Sequence, residues 1–329
     1  MIMLYSDPLY GTVEITDPIA LEIIASPDFQ RLKGIDQAGY SEPFFPGGAH
    51  SRFEHSIGVY LLLKKFGASQ EEQLAGLLHD ISHGIFSHTL DYVFAEGSQE
   101  NLNYQDSIFE KFIQKTSIPD ILRKHDIDIN YIIDDSNFPL KETNLPDLCA
   151  DRIDYSLRGK LHYDRHDQKD LLDILDGLTA ADNKRVFKDY TSAKRFTDMF
   201  ARMNDVYYSN LGTAIMFQTV ADYLKHAKEK GYITYDDFYT TDAEVLAKIA
   251  PYHGQDEKLK LYRYRMNCTI KTTNNPDDYD VEVFCKSRVV DPLFMVDGEV
   301  KRISDVNEEW KEKLKTHSKA KKYFLKFEK

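Results

Sequence analysis

Apolar positions recur at three- and four-residue spacing through most of the first 250 residues, the pattern of helices that bury one face. The stretch Ser26-Pro27-Asp28 combines an N-cap serine, a proline at the first helical position and an acid in the first turn, and opens a helix through Phe29, Leu32 and Ile35. A second helix is predicted from near Ser51, carrying Phe53, Ile57, Tyr60, Leu61 and Phe66, with Gly67 at its end. Two more follow, from Glu71 to about Asp80 and from about His83 to Phe94, the latter stopped by Gly97. Further helical stretches are predicted over 103–115, 145–158, 168–176, 190–211 and 213–230, the last closed by Gly231. Ahead of them all, Gly11-Thr12-Val13-Glu14-Ile15 is a short strand.

The period changes after about residue 255. Tyr262-Arg263-Tyr264-Arg265-Met266 alternates, as does Asp280-Val281-Glu282-Val283-Phe284, and Pro292 to Val300 reads as strand around an Asp297-Gly298 turn. The Lys-rich end, Lys311 to Lys329, is expected to be an amphipathic surface helix or strand. The expected fold class is mainly α: a helical body over 1–254 and a small α+β C-terminal region over 255–329, with no internal repeat or low-complexity tract.

Composition narrows the classes. With 42% hydrophobic and 12% aromatic residues in 329, the chain can build a substantial core, which excludes a disordered or fibrous protein. The net charge of −12 argues against a protein that coats duplex nucleic acid, because phosphate binding there needs a broad basic face. It leaves room for a small anionic substrate in a local basic pocket. Three cysteines, Cys149, Cys268 and Cys285, lie far apart with no CxxC pair, as expected in a reducing compartment. No basic segment followed by an apolar run opens the chain, and nowhere do 18 apolar residues run together. The expectation is a soluble cytoplasmic protein with no membrane partner.

Candidate chemistry lies in the histidines. Five of the eleven fall between His50 and His88, four of them in two compact motifs, Ser51-Arg52-Phe53-Glu54-His55-Ser56 and His79-Asp80-Ile81-Ser82-His83-Gly84-Ile85-Phe86-Ser87-His88. The pair His79-Asp80 sets an imidazole and a carboxylate side by side at the end of the apolar run Leu74-Ala75-Gly76-Leu77-Leu78. A hard or borderline divalent cation takes this mixture of nitrogen and oxygen donors. Ionisable groups at the end of a buried helix are costly unless something binds them, and a metal would meet that need. A lone histidine on an apolar face is usually a hydrogen-bonded core residue, but the clustering of both motifs weighs against a purely structural reading.

The segment Phe45-Pro46-Gly47-Gly48-Ala49-His50-Ser51-Arg52-Phe53-Glu54-His55-Ser56-Ile57-Gly58-Val59 resembles the first metal motif of the HD-domain deoxynucleoside triphosphate triphosphohydrolases. His79 through His88 resembles their second motif, Phe29 to Gly39 a preceding substrate segment, and Asp147-Leu148-Cys149-Ala150-Asp151-Arg152-Ile153-Asp154-Tyr155 their last metal motif. The resemblance covers roughly the first 225 residues and implies an HD-domain helical bundle. It implies that His55, His79, Asp80 and Asp151 hold one divalent ion, of which Mn, Fe, Co, Ni, Zn or Mg all suit the donors. Asp154, three residues on, is the competing carboxylate, but the family's register favours Asp151, and a structural ion pair is the role expected of Asp154. His88 supported by Asp91 is the candidate general acid, and His83 a contact to phosphate or a positioner of the nucleophile. Arg52 and Arg152 stand where the family places phosphate-binding cations, and Gln37 and Tyr155 at positions that meet the nucleoside sugar.

Three departures bear on substrate. Gly159 stands where the family has an aspartate that reads the sugar hydroxyl. The segment Asn101-Leu102-Asn103-Tyr104-Gln105-Asp106-Ser107 lacks a catalytic His-Glu pair. Val206-Tyr207-Tyr208-Ser209-Asn210 replaces a Val-Tyr-x-His-Lys motif whose basic residues face the phosphate tail. The expected activity is hydrolysis of a (deoxy)nucleoside triphosphate to nucleoside and triphosphate. The alternatives are another phosphate ester (nucleoside monophosphate, cyclic nucleotide or single-stranded nucleic acid) and a non-catalytic nucleotide sensor. Family resemblance makes a homo-oligomer a reasonable expectation.

Overall fold

The computed structural model describes residues 2–181 and 184–328. At its centre lies the helix Arg52–Lys65, packed against Gln70–Leu78 on one side and Ala150–Tyr163 on the other. Ser51 starts this central helix with a capping box: its hydroxyl accepts from the Glu54 amide at 3.2 Å, and the Glu54 carboxylate accepts from the Ser51 amide at 2.8 Å. The helix is buried on nearly every face, from Phe53 to Leu63, as befits a core helix rather than an amphipathic surface one. Gly58 is required where it crosses Ala150–Tyr163, because a Cβ there would overlap the Asp154 carboxylate and the Arg158 guanidinium.

The remaining helices wrap this core. Tyr190–Met203 packs on Ala150–Tyr163, and Leu211–Glu229 lies along Leu90–Val93 and Glu257–Met266. Nine strands among the described residues form three small sheets. β1 (Met3–Asp7) and β2 (Gly11–Ile15) make an N-terminal hairpin. β3 (Leu178–Ala181), β4 (Lys184–Phe187), β7 (Leu293–Val296) and β8 (Glu299–Arg302) form the second sheet in that order. β5 (Thr272–Asn274), β9 (Lys321–Phe327) and β6 (Val281–Cys285) form the third. In the second sheet β4 runs parallel to β7, with Val186 opposite Leu293 and Phe187 opposite Phe294, so a strand of the helical body pairs with one from the C-terminal region.

The C-terminal region completes two of the cores. Val289, Val290, Phe294, Ile303 and Trp310 pack with Val59, Ile153 and Phe200, while Val283, Cys285, Leu325 and Phe327 pack with Phe217, Val220 and Leu224.

The mainly helical fold class holds, with differences of detail. The helix opened at Ser26 is α-helical only over Pro27–Gln30 and continues as a 3₁₀ turn, Arg31–Gly34, beyond which Ile35 is extended. Tyr262 to Met266, read as alternating strand, is the end of the helix Glu257–Met266. Asp256 caps it through the Leu259 amide, and Leu259 and Met266 are the buried positions seven residues apart, so the helical period wins over an accidental alternation. The helix expected from His83 to Phe94 is only a 3₁₀ turn, Ser87–Thr89, and the short helix Leu90–Val93. Positive φ at Phe86 (52°) and Ser87 (50°) interrupts it. The helix placed at 145–158 spans Ala150–Tyr163, and that placed at 190–211 stops at Met203 and continues as a π-helical turn, Asn204–Tyr208. The Lys-rich end contains both a helix, Glu308–His317, and a strand, β9. The Asp297-Gly298 turn joins β7 to β8 as expected, with both residues at positive φ.

Candidate metal centre and substrate cavity

Three helix ends meet around four side chains. His55 lies in the first turn of Arg52–Lys65, His79 and Asp80 follow the last turn of Gln70–Leu78, and Asp151 lies in the first turn of Ala150–Tyr163. The His55 Nε2 atom is 2.9 Å from Asp151 Oδ1, 3.2 Å from His79 Nε2 and 3.8 Å from Asp80 Oδ2. His79 Nε2 is 3.4 Å from Asp151 Oδ1 and 3.5 Å from Asp80 Oδ1. Residues far apart in sequence are thus gathered by the packing of one central helix between two others.

The donor set fits a cation on chemical grounds. His79 Nδ1 donates to the Gly76 carbonyl at 2.7 Å, and His55 Nδ1 donates to Asp154 Oδ1 at 2.8 Å. Each imidazole therefore spends its Nδ1 proton on an outer partner and, when neutral, turns the lone pair of Nε2 inward. Two lone pairs facing each other at 3.2 Å, beside two carboxylates, repel unless something positive lies among them. Outer hydrogen bonds that fix imidazole orientation are the usual support of a histidine-ligated metal. The carboxylates favour positive charge on the ring: burial would lower His55, but Asp151 and Asp154 together raise it to about 9. Burial likewise works against the Asp80 carboxylate, and Arg52, His79 and His83 hold it well below the usual carboxylate range.

Asp154 lies behind His55, on the side away from His79 and Asp80. Its Oδ1 accepts from His55 Nδ1 and from Arg158 Nε at 2.9 Å, and its Oδ2 accepts from Arg158 Nη2 at 3.0 Å and from the Tyr10 hydroxyl at 2.7 Å. Arg158, fully buried, also reaches Asp7 at 3.1 Å, so the N-terminal hairpin braces the cluster from behind.

The cluster opens on a cavity of about 840 Å³. Gln37, Arg52, His83, His88, Arg152 and Tyr155 all line it, alongside His79, Asp80 and Asp151. His83 Nε2 stands 3.3 Å from Asp80 Oδ1, and its ring meets that of His88 edge-on at 5.1 Å. Asp91 sits behind His88, 3.4 Å from its Nδ1, and is itself held by the Tyr104 amide at 2.9 Å. Arg52 donates to Asp80 at 2.5 Å, to the Ser87 hydroxyl at 2.7 Å and to the Gln37 carbonyl at 3.1 Å, which leaves one N–H on each Nη for a ligand. Arg152 is tied to the Asp147 carbonyl and to Glu142, with Nε unpartnered. The Gln37 Oε1 and Tyr155 hydroxyl oxygens are buried without a hydrogen-bond partner.

Two departures of the sequence take physical form here. Gly159 sits against Tyr208, whose hydroxyl donates to the Tyr155 carbonyl at 3.1 Å. A Cβ at 159 would overlap that hydroxyl, so tyrosine fills the space that a longer side chain would need. The π-helical turn that replaces the basic motif carries Tyr207 and Tyr208 into the cavity wall, where Tyr207 stacks on Tyr163 at 4.6 Å. Sequence reasoning missed Lys286 and Arg288, which line the cavity from the C-terminal region. Their only linear signal is a basic pair around Ser287 just after an apolar strand, and nothing local ties it to the histidines. Glu142 and Cys149 also lie beside Asp151, but burial pushes the Cys149 thiol up, away from the thiolate a metal would take.

The HD domain family model matches residues 52–180, the stretch that spans all four cluster residues. The uncharacterized protein YdhJ of Bacillus subtilis is 36% identical over 305 residues, covering 92% of this chain and 92% of that one. Metal-dependent phosphohydrolase cns2 of Cordyceps militaris is 33% identical over 193 residues, 59% of this chain and 53% of the relative. Deoxynucleoside triphosphate triphosphohydrolase SAMHD1 of Gallus gallus is 34% identical over 180 residues, 47% of this chain and 28% of the relative. The fold is that of a hypothetical protein from Aquifex aeolicus, with a TM-score of 0.73 at 22% identity over 99% of this chain and 96% of that one. Among the described residues no helix is long and apolar enough to cross a membrane. A relative matched along nearly its whole length, and a family model seated on the helices that carry the His-Asp cluster, place the chain in the HD superfamily, as a metal-dependent phosphohydrolase.

Proposed function

We propose that the protein hydrolyses a deoxynucleoside triphosphate to nucleoside and triphosphate. The observation that carries this reading is the His-Asp cluster on the wall of a cavity whose lining residues Gln37 and Tyr155 each hold a buried polar atom, Oε1 and the hydroxyl, with no partner in the protein. Such atoms are costly unless a ligand meets them, and a single sugar hydroxyl can serve both, donating to the first and accepting from the second. The partial match to a relative named as a deoxynucleoside triphosphate triphosphohydrolase supports the same reading.

In this reading His55, His79, Asp80 and Asp151 hold one divalent ion. Bound there, that ion would polarise a phosphorus–oxygen bond and lower the pKa of water, so that hydroxide is available at neutral pH. Water oxygen adds to the α-phosphorus, the bond to the ester oxygen of the sugar breaks, and that oxygen leaves with a proton. His88, held by Asp91, is placed to give the proton. His83 faces the phosphate, Arg52 fixes Asp80 and turns its remaining N–H groups to phosphate oxygens, and Arg152 adds positive charge. Residues 1–254 carry the chemistry, and residues 255–329 close the far wall of the cavity.

One observation favours a second reading. Tyr208 occupies the space beside Gly159, where a carboxylate reading the sugar hydroxyl would sit, and this suits a different phosphate ester, such as a nucleoside monophosphate or cyclic nucleotide. Incubating the Mn²⁺-loaded protein with deoxynucleoside triphosphates, ribonucleotides, monophosphates and cyclic nucleotides, with chromatographic separation of products, decides between them. Nucleoside and intact triphosphate in equal amounts are expected. Cleavage of monophosphates or cyclic nucleotides with triphosphates untouched would move the substrate to the second reading.

A further inference from the structure

The cations of the cavity are not equivalent. Arg52 is paired with Asp80, Arg152 with Glu142 and Lys141 with Asp135. Among the described residues, Lys286 and Arg288 are the cavity cations with no carboxylate at ion-pair distance; Lys286 donates to the Asn101 carbonyl at 2.6 Å. Cavity carboxylates remain, Asp106 among them, so the site is mixed rather than uniformly basic. Two unpaired cations facing one cavity repel each other and are stabilised by an anion between them. The strain registers on the lysine, whose ammonium is lowered to about 8 by burial and by the Arg288 and Arg152 charges.

The segment that presents them is fixed from three sides. The Tyr92 hydroxyl donates to the Phe284 carbonyl at 2.5 Å, and the Phe284 amide donates to Gln99 at 2.9 Å. Asn204, buried at the start of the π-helical turn, holds the other end: its amide nitrogen donates to the Ser287 hydroxyl at 3.1 Å, and its oxygen accepts from the Arg288 amide at 2.8 Å. Ser287 is buried while its two neighbours line the cavity, so a clamp on Ser287 aims both cations. The π-helical turn Asn204–Tyr208 is therefore the element that positions both cations.

We infer that Lys286 and Arg288 form the binding site for the distal phosphates of a polyphosphate substrate, supplied by the C-terminal region rather than by the HD helices. The inference rests on the phosphohydrolase reading of the cavity but does not require the base or sugar to be those proposed. A polyphosphate tail offers several charged oxygens to a lysine and an arginine on one segment; a monophosphate at the metal cluster has none to spare for them.

The test is calorimetric titration of the metal-loaded protein, freed of excess metal, with inorganic tripolyphosphate and separately with orthophosphate. The wild type is expected to prefer tripolyphosphate. The double variant Lys286→Gln/Arg288→Gln is expected to bind tripolyphosphate ~100-fold more weakly, about tenfold for each charge-assisted hydrogen bond removed, and orthophosphate within about 3-fold of wild type. The charge-preserving Lys286→Arg/Arg288→Lys variant should keep most of the preference and controls for folding. Equal binding of both anions by the wild type, tripolyphosphate binding unchanged in the double variant, or equal weakening of both anions would each overturn the inference. Nucleotide turnover separates this from the proposed reaction. Cleavage of deoxynucleoside triphosphates with an unchanged KM in the double variant would sink the phosphate site alone. A pair-dependent preference for tripolyphosphate in a protein that cleaves no nucleotide would sink the proposed substrate alone.

Discussion

The wall of the cavity that bears the metal cluster and the wall opposite it are built by different means. On the cluster side the two imidazoles of the cluster are locked by a neighbour a few residues away or one helix away: His79 by the Gly76 carbonyl, and His55 by Asp154, which sits one turn after Asp151. On the far side Lys286 and Arg288 depend on Asn204, more than 80 residues distant, and Tyr208 depends on the absence of a side chain at Gly159. The His-Asp cluster is held by short motifs on packed helices, whereas the opposite wall, the recognition surface of the proposed reading, is assembled from loops and a strand end that only tertiary structure brings together. Loss of a cluster residue should therefore abolish function, while changes on the far wall should grade it.

The largest effect expected is that of Asp80→Ala. It removes a carboxylate of the cluster and strands the buried Arg52, so bound metal by elemental analysis and turnover should both fall to background. Full turnover in this variant would place the active site elsewhere. Asp154→Asn comes next, because the carboxylate orients His55 without touching the cluster's interior. Metal affinity should fall ~10–100-fold, the usual cost of losing such a support. Unfolding by urea should also show a loss of about 3–5 kcal/mol, since Arg158 is left buried with only Asp7. An Asp154→Asn protein with normal metal affinity would mean that the hairpin and Arg158 do not brace the site.

Gly159→Ala tests the far wall. A methyl at 159 must displace the Tyr208 hydroxyl or the two helices, and a destabilisation of about 1–3 kcal/mol is expected, as for other overpacked sites. Adding Tyr208→Phe removes the overlapping oxygen and should restore part of the loss. Strict additivity of the two substitutions would show that the clash is not with that hydroxyl.

The same contrast decides what could be read from the sequence. The capping box at Ser51 and Glu54, the helix end before His79 and the Asp151 segment are local patterns, and their side chains meet because the central helix is buried almost all round. Asp154 was ambiguous because a carboxylate three residues from another shares its helix face, and only Arg158, Tyr10 and Asp7 reveal that it points outward. The stretch from His83 to Thr89 reads as helix because its apolar residues keep helical spacing, while the positive φ at Phe86 and Ser87 is set by tertiary contacts. Lys286 and Arg288 were illegible for a different reason. A basic pair beside a strand is ordinarily solvated, and its role depends on the distant Asn204 clamp.

The smallest effects, and the most diagnostic of a ligand, belong to Tyr155→Phe. The hydroxyl is buried without a partner, so in the free protein it is a liability. Its removal should leave stability unchanged or raise it by up to about 1 kcal/mol, because an unsatisfied polar group disappears and the ring stays packed against Phe200 and Tyr208. Substrate should feel the opposite. If the hydroxyl meets a sugar oxygen, KM should rise by about tenfold, the worth of one buried hydrogen bond, with bound metal unchanged. Stability and affinity moving in opposite directions is the mark of a group kept for a ligand at the fold's expense. A fall in stability with KM unaffected would instead make Tyr155 an ordinary core aromatic, and would shift the recognition of substrate further toward the C-terminal wall.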